Sequence, residues 1–180
     1  MKLLARARRT LVVGIAAAAA ALSMTQIAHA AAPAPTIPEA IALPAGNTVF
    51  LIGHAKGFQI YTCDGNGSWG SATPDAKLFD DNGELIAKHF AGPTWQAKDG
   101  SSVVGARDAG VTVDASAIPW LRLKAVSTTP GLLGPTTYIQ RVATTGGLAP
   151  APADCNAKKA GKKVKVPYTA DYYFAKSTGA

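Results

Sequence analysis

The sequence predicts an all-β fold, a single-domain antiparallel β-sandwich or barrel with one disulfide, on three observations. Beyond residue 30 no segment keeps apolar residues at a 3.6-residue period for ten or more positions, as an amphipathic helix would. Clusters of Gly, Pro, Asn and Asp recur every eight to fifteen residues. The runs between them are rich in β-branched and aromatic residues, which suit a pleated, half-buried surface. Helix is expected in no more than a turn or two.

The first thirty residues stand apart from the fold. Lys2, Arg6, Arg8 and Arg9 precede an apolar run from Leu11 to Leu22, and Ala28-His29-Ala30 offers the small residues that suit cleavage before Ala31. This is the architecture of a secretory signal peptide, and its apolar run of about a dozen residues is shorter than the ~20 a membrane-spanning helix needs. Arg8-Arg9 faintly resembles a twin-arginine signal, but basic leaders are common and the general export route is favoured. The working protein is therefore expected to be exported, periplasmic or extracellular, with no membrane anchor after cleavage. Removing those four residues from 18 basic ones leaves 14 against 11 acidic, a net charge of +3.

Residues 31–40, AAPAPTIPEA, form a Pro/Ala-rich spacer that favours extended geometry, and a single domain is assigned to 41–176. Thr48 to Cys63 carries two β-rich runs around Lys56-Gly57 and reads as a hairpin or one bent long strand, with Gln59, Tyr61 and Cys63 sharing a side. Asp64 to Gly70 is a loop. Asn82-Gly83 and Asp99-Gly100 mark two hairpin turns, because these residues tolerate the positive φ that tight turns need. Between them Gly92-Pro93 makes a corner and sends off a strand carrying Trp95. Pro119 to Ala125 alternates strictly, Trp120, Arg122 and Lys124 opposite Leu121, Leu123 and Ala125, as a half-buried strand does. Thr136 to Thr145 is its partner, and Val164 to Ala175 closes the domain with Val166, Tyr168, Ala170, Tyr172 and Phe174 on one face.

Cys63 and Cys155 are the only cysteines, and in an exported protein they are expected to pair. The bridge would close a loop of roughly ninety residues and tie the front of the domain to its back.

Taken together, GFQIYTC, Trp69, PDAKLFDDNGELIAKHFAGPTWQAKDGSSVVG, IPWLRLKA, TYIQRVATTGGLAPAPADC and VPYTADYYF resemble a family of small secreted bacterial and fungal proteins, domain of unknown function 3455, over about Leu43 to Phe174. The resemblance implies no established activity, cofactor or catalytic residue. Some fungal members carry a malate dehydrogenase label. Gly65-Asn66-Gly67-Ser68-Trp69-Gly70 does match the dinucleotide pattern GxGxxG, but that chemistry needs a helix opening at the glycines inside a βαβ unit. Here the glycines run into Ser71-Ala72-Thr73-Pro74, so NAD-dependent activity is not supported and no cofactor is expected.

Other chemistry is equally sparse. His54 and His89 are the only histidines past the leader, and a metal site would need distant carboxylates such as Asp75, Asp99 or Asp108, so none is assigned. Asp80, Asp81, Glu84 and Asp99 sit where turns want Asp, and Ser101-Ser102 lacks a nucleophile elbow. Lys158, Lys159, Lys162, Lys163 and Lys165 form a local cluster without interleaved aromatics, which argues against nucleic acid and for a solvated loop that would favour an anionic partner. Trp69, Trp95 and Trp120 with five tyrosines supply amphipathic rings. The sequence therefore points to non-catalytic binding of a small or polymeric ligand, carbohydrate or anionic, at the cell envelope, with His89, Trp95, Asp99, Arg141 and Trp69 as candidate residues. The alternative is an enzyme built on His89, Asp99 and Arg141.

Overall fold

The computed structural model describes residues 34–179; the signal peptide assigned to 1–30 lies outside them. Eight antiparallel strands form a closed barrel in sequential order: β1 (Asn47–Thr62), β2 (Thr73–Phe79), β3 (Leu85–Phe90), β4 (Thr94–Ala97), β5 (Ser102–Val111), β6 (Trp120–Thr128), β7 (Thr136–Gly146) and β8 (Lys163–Ser177). Helical structure among the described residues is limited to three-residue 3-10 turns at Glu39–Ile41, Pro152–Asp154 and Ala157–Lys159.

Closure depends on β1. Gly57 is not a turn: β1 runs straight through it, because a Cβ there would lie 2.5 Å from the Cα of Ala76 on β2, so only glycine permits that approach. The resulting long strand pairs with β2 through His54–Ile60 and with β8 along nearly its whole length, leaving no unpaired edge. This resolves both open alternatives of the sequence, one strand over a hairpin and a barrel over a sandwich.

The short strands are set by local turn chemistry. At the β2–β3 turn, Asp80 Oδ1 accepts from the backbone N–H of Asn82 and Glu84 at 3.0 and 2.8 Å, and Gly83 takes φ of 80°. Gly92, with φ of 87°, turns β3 into β4, so the Gly-Pro corner is itself a hairpin.

The barrel interior holds Leu78, Trp95, Val103, Leu123, Ile139, Tyr168, Tyr172 and Phe174. One end is plugged. Asp99 Oδ2 accepts from Leu132 N at 2.7 Å and Ser101 Oγ from Leu133 N at 3.1 Å, so the β6–β7 connection folds inward and seats Leu133 in the core, fully buried. On the outer wall Ile41, Trp120, Val142 and Tyr173 make a second cluster, against which Ile37 and Val49 pack. The chain before β1 is thus a strap, held where Gln140 Nε2 donates to Ile41 O at 2.7 Å and Arg122 to Ala42 O. It covers Trp120, whose alternation with Arg122 and Lys124 had placed it on the polar face.

The disulfide Cys63–Cys155 joins the loop after β1 to the loop before β8 across a sequence separation of 92. No helix among the described residues is long and apolar enough to cross a membrane.

Candidate functional site: a cavity at the barrel mouth

In an up-and-down barrel alternate connections fall at opposite ends. The β2–β3, β4–β5 and β6–β7 turns share the plugged end, while the β1–β2, β3–β4, β5–β6 and β7–β8 connections surround the other. At this second end the interior is not filled. A cavity of about 220 Å³, the volume of roughly seven liquid waters, opens between the ends of the strands.

Strand register explains its walls. His89 and Trp95 are direct partners across β3 and β4, and on the far side Leu121, Arg141 and Tyr172 form one cross-strand row through β6, β7 and β8. Gln59 and Pro74 pair between β1 and β2. Paired residues point the same way, so all of these face inward and line the cavity. The Ala91-Gly92-Pro93 turn and Arg107 complete its rim.

The aromatic wall is tightly ordered. The His89 ring stacks on Trp95, Tyr172 meets the two edge-on at 5.1 and 5.3 Å, and Phe174 backs Trp95 at 6.1 Å. His89 Nδ1–H donates to Thr94 O at 2.9 Å, so the imidazole fixes the turn. Burial drives its pKa down to about 3, with the Arg141 charge pushing the same way, so the ring is neutral at physiological pH. Burial likewise raises the phenol pKa values of Tyr61, Tyr168 and Tyr172, and the Arg141 charge opposes this at each. Arg141 donates through Nε and Nη2 to the single carbonyl oxygen of Pro119, at 3.2 and 2.8 Å. Two further donors belonging to lining residues, Gln59 Nε2 and Trp95 Nε1, are buried without a hydrogen-bond partner.

Of the residues singled out in the sequence, His89, Trp95 and Arg141 therefore meet in one cavity. Asp99 does not join them: it lies in the β4–β5 turn at the plugged end, where Ser101 and Leu132 occupy its carboxylate and hold its pKa low. The three-residue constellation His89, Asp99 and Arg141 is not assembled, because the Asp serves its own turn. Trp69 lies outside the barrel on the disulfide-linked loop, its Nε1 donating to Ala151 O at 3.1 Å. Gln59 and Arg107 complete the site without having been singled out, and Tyr172 had entered only as one of the five tyrosines. Their signal was strand parity alone, since each falls on the inward side of its strand.

The glycines of the GxGxxG match form a loop in which Asp64 Oδ1 accepts from Asn66 N and Ser68 N at 2.7 and 3.0 Å, and the chain then enters β2. There is no helix N-terminus at which a pyrophosphate could sit. Among the described residues no three His, Cys, Asp or Glu side chains are grouped to hold a metal ion.

Fold and cavity together define a small up-and-down β-barrel, plugged at one end, hollow and donor-rich at the other. The chain belongs to the family described as Protein of unknown function (DUF3455), whose model matches residues 44–176. Neither the comparison with curated proteins nor that with solved structures returned a match.

Proposed function

We propose that this protein is exported to the periplasm or the extracellular space and there binds a small molecule in the mouth of its barrel, without catalysing a reaction. The observation that carries the reading is the unfilled interior lined by His89, Trp95, Arg141 and Tyr172. Small-molecule sites are concave and largely apolar with a few placed polar groups, and here Gln59 and Arg141 supply polar groups among aromatic and aliphatic ones. A mouth of this size admits a small molecule or the end of a chain rather than a length of polymer.

Two facts favour binding over catalysis. His89, the one histidine among the described lining residues, is held far below the pH at which it would exchange protons efficiently. Among the described residues no carboxylate lines the cavity to act in its place. Export rests on the leader sequence, and the disulfide suits an oxidising compartment.

The test is thermal-shift screening of the mature protein against small sugars, carboxylates, phosphates and amines. A saturable rise in melting temperature that disappears in Ala72→Trp, which puts a large ring at a residue lining the cavity just before β2, is the expected result. Stabilisation that survives this substitution would place the site elsewhere.

A further inference from the structure

We infer that the ligand of this cavity is a small organic oxoanion, a carboxylate or phosphate ester with a short apolar body, and that Arg141 is its counter-ion. The inference rests on the reading of the mouth as a binding cavity and specifies what fills it. Arg141 is half-buried inside the barrel, yet it enters none of the ion pairs among the described residues, and its Nε–Nη2 edge is spent on a neutral carbonyl. A guanidinium withdrawn from water is normally matched by a carboxylate. Here none of the described residues that line the cavity is a carboxylate, and the groups around Arg141 are a neutral imidazole and neutral phenols.

The remaining wall has the same polarity. Gln59 brings a side-chain amide, the Tyr172 hydroxyl, 3.3 Å from that of Tyr168, can donate, and Arg107, in none of the ion pairs among the described residues, brings a second guanidinium to the rim. A neutral sugar presents hydroxyl donors and is ordinarily met by carboxylate acceptors, which are missing. A cation would face two like charges. An oxoanion brings acceptor oxygens only and matches each of these groups, while Leu121, Leu123 and Pro93 give its apolar part a surface. Lys158, Lys159, Lys162 and Lys163 lie in or beside the β7–β8 connection at the same end of the barrel and would raise the local concentration of anions.

The experiment is isothermal titration of the mature protein with benzoate, phenyl phosphate and the neutral isostere benzamide, repeated on Ala72→Trp, Arg141→Gln and Arg141→Lys. At least one anion should bind about tenfold or more tighter than benzamide, the ordinary worth of one charge-assisted contact. The tighter of the two anions names the head group. Arg141→Gln should remove the preference and Arg141→Lys should restore part of it. Should Arg141→Gln fail to fold, Arg141→Lys, which keeps the charge but loses the planar fork, should still narrow the preference several-fold, with benzamide binding unchanged. Benzamide binding as tightly as both anions, and lost in Ala72→Trp, would overturn the anion while leaving the cavity reading intact. Binding that Ala72→Trp does not affect, or none by any of the three, would overturn both.

Discussion

The imidazole of His89 lies flat on the indole of Trp95, ring centroids 4.2 Å apart and planes 6° from parallel, because the two residues are cross-strand partners in β3 and β4. That stack forms one wall of the cavity and removes His89 from water, leaving it 3% exposed.

His89 is predicted to make the fold acid-sensitive. Its folded pKa of about 3 lies below the 6.5 of an exposed imidazole, so between those values the unfolded chain binds a proton that the folded chain refuses. Stability should fall as pH drops through this window, by on the order of 1 kcal/mol per pH unit, and level off below it. Urea unfolding of the natural protein and His89→Gln across pH 7 to 4 checks this. The variant should lose the added slope.

Trp95 is 1% exposed and touches His89, Tyr172 and Phe174. Trp95→Ala should cost about 3–5 kcal/mol in denaturant unfolding, the range for a large aromatic removed from a core. Because the same ring lines the cavity, ligand binding should weaken as well, and a variant of undiminished stability would show that Trp95 is not part of the core.

His54 should behave oppositely to His89. Its Nε2 and Nδ1 lie 2.8 and 2.7 Å from the carboxylates of Asp81 and Asp171, and the hydrogen bond to Asp81 above all raises its pKa. The stabilisation this gives is complete below 6.5 and lost as pH rises through the raised value. An NMR titration should show one imidazole titrating above 6.5, moving downward in Asp81→Asn. A His54 titration unchanged by that substitution would contradict the contact.

Reducing Cys63–Cys155 should release two thiols and lower stability by about 4–5 kcal/mol, from the chain entropy of a loop near a hundred residues. Mass spectrometry after alkylation with and without reductant counts the thiols, and calorimetry on the two forms measures the loss.

How far the sequence carried depended on whether a feature is local. The strands around Leu121–Ala125 and Tyr168–Phe174 and the turns at Gly83 and Gly100 were legible, because alternation and positive-φ residues act over a few positions. Barrel closure was not, since it follows from β1 pairing with both β2 and β8, a matter of long-range register. The strap was hidden for a related reason: Pro/Ala composition signals extended chain but not what Ile37 and Ile41 lie against. In the site, His89, Trp95 and Arg141 stood out as chemically distinctive residues. Gln59 and Arg107 did not, because inward-facing residues at a barrel mouth need not be apolar, and Phe58, next to Gln59 on β1, faces out at 38% exposure. Asp99 misled because the Asp that suits a catalytic site also suits a turn.

The most direct test of the binding cavity is the indole N–H spectrum of the mature protein during a titration with benzoate. The three tryptophans lie in three settings: Trp95 on the cavity wall, Trp69 on the disulfide-linked loop and Trp120 under the strap. The Trp95 indole signal should shift saturably as the ligand seats against the cavity wall, while Trp69 and Trp120 stay in place. A saturable shift of Trp69 with Trp95 unmoved, or no shift of any indole at millimolar ligand, would contradict the account.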